Sequence, residues 1–203
     1  TGGDGSYPTE LIDVNGLLYF VARDDTHATE LWRTDGTTAG TVLVSDINPG
    51  PSTSNAQHLT NVNGTLFFNA TNGAHGAELW RVDGPTSAAA MVKDIQSGSD
   101  GSNPNYLVSF NDELYFKAQS DSGYELWRSD GTAFGTSIVK DIRSGSQGSY
   151  PESLTVVGTT LYFSATDGNT GRELWKTDGT LGGTTMVSDI WSGASGSAPI
   201  HLV

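Results

Sequence analysis

Apolar positions fall into four short groups, and the whole set returns three more times along the chain. The first group is Leu11–Val14, repeated at Leu59–Val62, Leu107–Phe110 and Leu154–Val157. The second, Leu18–Ala22, returns as Leu66–Ala70, Leu114–Ala118 and Leu161–Ala165. Within it Leu, Phe and Ala alternate onto one face at the period of a strand. Tyr19, Phe67, Tyr115 and Tyr162 fall on the other face, so both sides are apolar and the strand is expected to lie between two sheets. The third group carries Glu-Leu-Trp-Arg/Lys and starts at Glu30, Glu78, Glu125 and Glu173, spaced 48, 47 and 48 residues apart. Alternation places Glu30 with Trp32 on one face and Leu31 with Arg33 on the other. The fourth is Leu43–Ile47, then Met91–Ile95, Ile138–Ile142 and Met186–Ile190. No helical period runs anywhere, and each unit reads as four short strands.

The joints between groups carry turn chemistry. Asn15-Gly16, Asn63-Gly64 and Asn111-Asp112 suit the positive φ of a two-residue hairpin, and Val157-Gly158 stands in the same place. After the Trp strand comes Asp35-Gly36-Thr37, in which Asp accepts from the backbone two residues on and Gly takes the left-handed conformation. Repeat 2 departs most: Pro85–Ala90 replaces the Gly-Thr-x-x-Gly-Thr of the other copies, and Ala56 stands where they carry Pro8, Pro104, Pro151 and Pro199.

Four strands per unit of this length match a propeller blade. Independent sandwiches need about twice as many residues per domain. The expectation is an all-β chain, a β-propeller built of four four-stranded blades, either complete or a segment of a larger ring. Residues 1–203 form a single repeat domain, with blades at about 6–53, 54–101, 102–148 and 149–196. The stretch 197–203 opens the first strand of a fifth repeat. The chain is then four blades cut from a longer array, or the extra strand pairs with another copy.

Composition narrows the partners. Ten Lys and Arg stand against 23 Asp and Glu, a net charge of −13. Half of these acids sit at three fixed repeat positions: the Glu before Leu-Trp, the Asp before Gly, and Asp46, Asp94, Asp141 and Asp189. Such a surface disfavours nucleic acid and anionic membranes, and no stretch approaches the roughly 18 apolar residues of a membrane span. Cysteine is absent, which removes disulfides and thiolate chemistry and is compatible with export.

The four cores, Glu30–Thr37, Glu78–Gly84, Glu125–Thr132 and Glu173–Thr180, resemble the Glu-Leu-Trp-x-x-Asp-Gly-Thr (ELWxxDGT) repeat of bacterial proteins, over the whole chain. Only Gly84-Pro85 breaks the final Gly-Thr. The resemblance implies large tandem-repeat proteins, often exported or on the cell surface, with no general activity assigned.

Candidate chemistry is weighed against structure. Trp32, Trp80, Trp127 and Trp175 are either an aromatic sugar platform or fillers between blades, and a Trp flanked by Leu inside a strand favours the filler. Trp191 stands in a loop and reads as exposed. The repeated Glu is expected to pair with the Arg or Lys after Trp on an adjacent blade, and Asp46 with its equivalents to bond loop N–H groups. Calcium is the candidate cofactor: Asp167, Asn169 and Glu173 space oxygen ligands around glycines, with Asp24 and Asp121 as weaker counterparts. No nucleophile or metalloprotease motif occurs, and acids recurring in every blade speak for scaffold. The expected function is therefore not enzymatic: a non-catalytic binding or surface-display module of an exported bacterial protein, presenting variable loops to a glycan or protein ligand. The alternatives are a lectin-like module with sugar sites between blades and a hydrolase with one site in a central channel. A homodimer or continuation into further repeats is the expected association, and the location extracellular or at the cell surface.

Overall fold

The computed structural model describes residues 5–200, and the chain divides into two compact units, Thr1–Asn103 and Pro104–Val203. The end of the expected fifth strand, 201–203, lies outside the described residues.

In the first unit, β1 (Thr9–Val14), β2 (Leu17–Asp24), β3 (Ala28–Thr34) and β4 (Val42–Ser45) form one antiparallel sheet in chain order. A second sheet holds β5 (Gln57–Val62), β6 (Thr65–Ala70), β7 (Glu78–Val82) and β8 (Ala90–Lys93). The second unit repeats the plan with β9 (Asn105–Phe110), β10 (Glu113–Ser120), β11 (Gly123–Ser129) and β12 (Ser137–Lys140). Its other sheet holds β13 (Glu152–Val157), β14 (Thr160–Thr166), β15 (Arg172–Thr177) and β16 (Thr185–Ser188). These are the four four-stranded blades expected of a propeller fold.

Register is the same in every blade. Phe20 faces Trp32 across the ladder, as Phe68 faces Trp80, Phe116 faces Trp127 and Phe163 faces Trp175. The Asn-Gly hairpins have the predicted geometry, with φ of 55° at Asn15 and 81° at Gly16, the double positive φ of a type I′ turn. Asn111-Asp112 takes the same shape at 50° and 62° without a glycine. Each first strand carries a bulge that alternation did not reveal. There the register shifts, and Glu10, His58, Tyr106 or Ser153 adopts positive φ.

Both faces of the second strand are buried in blades 2 and 3, as expected, whereas Leu18 of blade 1 is exposed and Tyr162 of blade 4 half-buried. Tyr19, Phe67 and Tyr115 are as enclosed as Leu66, Leu114 and Leu161 on the opposite side. In the first unit, Tyr19, Val21, Leu31 and Ile47 of one blade pack on Leu66, Phe68, Ala70 and Trp80 of the other. In the second unit, Phe110, Tyr115, Leu126 and Val139 pack on Leu161, Phe163, Ala165 and Trp175. Apolar area removed from water at about 25 cal/mol per Å² makes these seams the main stabilising surfaces.

Candidate functional site

The most conspicuous polar feature is a buried carboxylate in each blade. Glu30, Glu78, Glu125 and Glu173 are all 0% exposed. Strand alternation turns each towards the chain segment that leaves its own blade. Glu30 accepts N–H bonds from Ile47 at 3.1 Å, Asn48 at 3.4 Å and Ser54 at 3.0 Å. Glu125 accepts from Ile142 at 3.3 Å, Arg143 at 3.4 Å and Ser149 at 2.8 Å, and from the Ser149 hydroxyl at 2.6 Å. Glu78 takes the same four donors from Ile95, Gln96 and Ser102, and Glu173 from Ile190, Trp191 and Ser197. The side chain gathers N–H groups of a loop that no strand pairs, which keeps that loop on the blade.

This corrects two expectations. The Glu does not pair with the base after Trp: Arg81 pairs with Asp83 at 3.1 Å and Arg128 with Glu113 at 3.6 Å. Nor does Asp46 organise the loop, since Glu30 does so and β4 already ends at Ser45. The reason is desolvation. A fully buried carboxylate is cheaper to satisfy with fixed N–H donors than with a long cationic side chain that would also lose its water. A signal was present in the sequence: Ser54, Ser102, Ser149 and Ser197 each stand 24 residues after their Glu.

Burial pushes the carboxyls of Glu30, Glu78 and Glu125 above the ordinary glutamate value, against the lowering effect of their donors. At Glu173 burial again acts upwards, but the bonds from Ser197, Ile190 and Trp191 outweigh it and the group is held low.

The Asp-Gly-Thr segment is a closed turn. Asp35 Oδ1 accepts the Thr37 N–H at 2.9 Å and its hydroxyl at 2.7 Å. Thr37 Oγ1 accepts from Gly40 N–H at 2.9 Å, and Thr41 Oγ1 donates to the Thr37 carbonyl at 2.7 Å. Blades 3 and 4 reproduce it around Asp130 and Asp178. At blade 2, Pro85 has no N–H to give, and Ser87 N–H bonds the Gly84 carbonyl instead.

The tryptophans behave as fillers. Trp80, Trp127 and Trp175 are 6–8% exposed, and Trp80 and Trp175 sit within the seams between blades. Trp32 is half-buried and gives its indole N–H to the Ala22 carbonyl at 3.1 Å. Trp191 alone is open to solvent, at 65%.

The proposed calcium ligands are not brought together. Asp167 Oδ1 caps its own loop through the N–H groups of Asn169 at 2.8 Å and Thr170 at 2.9 Å, Asn169 is exposed, and Glu173 is committed to Ser197. Asp24 caps its own loop through Thr26 and His27, while Asp121 is exposed. Among the described residues no three His, Cys, Asp or Glu side chains gather as for a metal ion.

Two concave features lie among the described residues of the second unit, a smaller one of about 350 Å³ beside the Asp178 turn and a larger one. A cleft of about 600 Å³ runs between the outer end of blade 3 (Lys140, Ile142, Arg143, Ser144) and the β14–β15 loop of blade 4 with Trp175. Among the described residues no helix is long and apolar enough to cross a membrane.

No protein-family model and no curated protein sequence matches the chain. Solved structures do. Puromycin hydrolase, as an S511A mutant complexed with PGG, matches 98% of the chain with a TM-score of 0.62 at 15% identity. A puromycin-hydrolyzing peptidase of Mycobacterium tuberculosis matches 94% at TM-score 0.58 and 12% identity. A prolyl endopeptidase matches 85% at TM-score 0.55 and 16% identity. The chain spans 28–30% of the length of these three proteins. The likeness is one of fold: propeller-type blades. It also corrects the expectation of a non-catalytic binding or surface-display module. These three solved proteins are a puromycin hydrolase, a puromycin-hydrolyzing peptidase and a prolyl endopeptidase, and the matched part is under a third of each.

Proposed function

We propose that the chain is the propeller portion of a larger enzyme that hydrolyses peptides or peptide-like amides. This portion frames and selects the substrate, and the bond-breaking groups lie elsewhere in the polypeptide. The observation that carries the reading is the match of almost the whole chain, 98%, to 30% of a puromycin hydrolase. The chain's own chemistry agrees. Two of its three recurrent carboxylate sets are consumed by scaffold, the Glu set in loop capture and Asp35, Asp130 and Asp178 in turns. The polypeptide containing this chain is expected to release product from puromycin or from a prolyl peptide, and the 203-residue chain alone to release none. If the intact polypeptide cleaves neither substrate, the reading is wrong.

A second observation favours association with a further blade. Val157, Val187 and Ile190 of blade 4 are 58%, 45% and 63% exposed. Their repeat equivalents Val14, Val139 and Ile47 are 4%, 7% and 5% exposed. An apolar face of this kind calls for cover by a further repeat or by a second copy. Light scattering of the chain would show self-association if the cover is a second copy, and a monomer if it is a further repeat.

A further inference from the structure

We propose that the cleft between blades 3 and 4 binds the free carboxylate end of a short peptide. Two cations, Lys140 and Arg143, line it. Their partners are neutral: Lys140 Nζ donates to the Thr184 carbonyl at 2.7 Å, and Arg143 donates to the Gln147 side-chain oxygen. Among the described residues neither forms an ion pair. In a chain with 23 acids and ten bases, two cations with neutral partners in one concavity concentrate positive charge that the surface elsewhere is short of.

The pair belongs to this blade alone. The position of Lys140 holds Ser45, Lys93 and Ser188 in the other repeats, and that of Arg143 holds Asn48, Gln96 and Trp191. Bonds from these positions have counterparts in the first blade, where Ser45 Oγ accepts the Ala89 N–H at 2.8 Å and Asn48 Nδ2 donates to the Thr53 carbonyl at 2.9 Å, but the paired positive charge does not recur.

The opposite wall supplies the complementary groups. Asp167 spends Oδ1 on its own loop, through Asn169, Thr170 and the Thr170 hydroxyl, while Oδ2 takes none of these bonds. Burial raises its pKa, but those bonds outweigh it and keep the group low, hence ionised. An acid beside two bases suits a ligand with a carboxylate at one end and an N–H donor a few atoms away, which a peptide terminus provides. Asn169 adds an amide, and the buried Trp175 contributes an apolar wall. Gly168 sets the spacing: at φ 85° it lies so close to Arg143 that a Cβ would come 2.7 Å from Nε. The volume of about 600 Å³ is of the size that small-molecule sites occupy.

The choice of a peptide over another carboxylate rests on the proposed peptide hydrolysis. Binding is therefore read on the 203-residue chain without turnover, so that either idea can fail alone. Calorimetric titration with N-acetyl-alanyl-alanine is expected to show one site, and the C-terminal amide of the same peptide to bind at least about tenfold more weakly. Lys140→Gln and Arg143→Gln should each weaken the acid by about fivefold or more while leaving the melting temperature in place. Absence of binding, equal affinity for acid and amide, or unchanged affinity in both variants would each overturn the proposal. Inorganic phosphate binding as tightly as the peptide would do so too, by reducing the cleft to an unselective anion patch.

Discussion

At the scale of the residue, the repeated Glu decides the account. A side chain whose two oxygens receive three N–H groups and a hydroxyl cannot be removed without orphaning buried donors. Glu125→Ala is expected to cost on the order of 3–5 kcal/mol in a denaturant titration, because each unsatisfied buried group costs about 1–3 kcal/mol. A loss below about 1 kcal/mol would show that water replaces the carboxylate without penalty. The pH dependence follows from the raised groups. A carboxyl with a folded-state pKa above its unfolded value contributes stability that is fully present below the unfolded value. That contribution is lost as pH rises through the folded one. Glu30, Glu78 and Glu125 are raised from 4.5, so the melting temperature should climb as pH falls from neutrality towards that value. In the opposite sense, Glu173, Asp167 and Asp178 are lowered and contribute stability that is lost only at more acid pH, as pH falls through their folded values. Calorimetry of Glu125→Gln should show a shallower climb than the parent chain; an identical slope would remove this group from the explanation.

At the scale of the element, two kinds of glycine separate tight joints from loose ones. Gly123 and Gly148 bring two backbone segments together, and a Cβ on Gly148 would meet the Tyr124 nitrogen at 2.2 Å with φ at 68°. Gly148→Ala is therefore expected to be among the most damaging single changes, about 3 kcal/mol or more, since backbone rather than a side-chain tip must give way. Gly84, in the blade whose turn lost its Asp-Gly-Thr network, has nothing within 4 Å of an added Cβ. Gly84→Ala should fall within about 0.5 kcal/mol of the parent in the same titration. Comparable losses at the two sites would mean that the close approach of Gly148 is not what holds the connection. These joints also mark how far the sequence could be read. Strands, hairpins and the Asp-Gly-Thr turns were legible because alternation and turn residues act over two to four positions. The bulges at Glu10, His58, Tyr106 and Ser153 were not, because ordinary side chains adopt the positive φ there.

At the scale of the whole molecule, repetition separates scaffold from candidate site. What recurs in all four blades, the Glu latch, belongs to the scaffold. What is peculiar to one blade, Lys140 with Arg143 beside Asp167, lines a cleft. The candidate site was only half legible. Asp167, Asn169 and Trp175 were singled out for calcium or for sugar, and they line the cleft opposite two bases that the repeat pattern does not mark. The partners of Glu lay 17, 18 and 24 residues away on the backbone, where a side-chain pattern is silent except for the recurring Ser. Fold was thus carried by local alternation, and the loop contacts of the repeated Glu by segments far apart in the chain.

Amide hydrogen exchange on Glu125→Ala tests the central claim, that a buried carboxylate binds each blade to the segment that follows it. The amides of Ile142, Arg143 and Ser149 should exchange at least about tenfold faster than in the parent, each having lost its acceptor. Those of Ile47, Asn48 and Ser54, held by the intact Glu30, should keep their parent rates. Unchanged protection at Ile142, Arg143 and Ser149 would contradict the account.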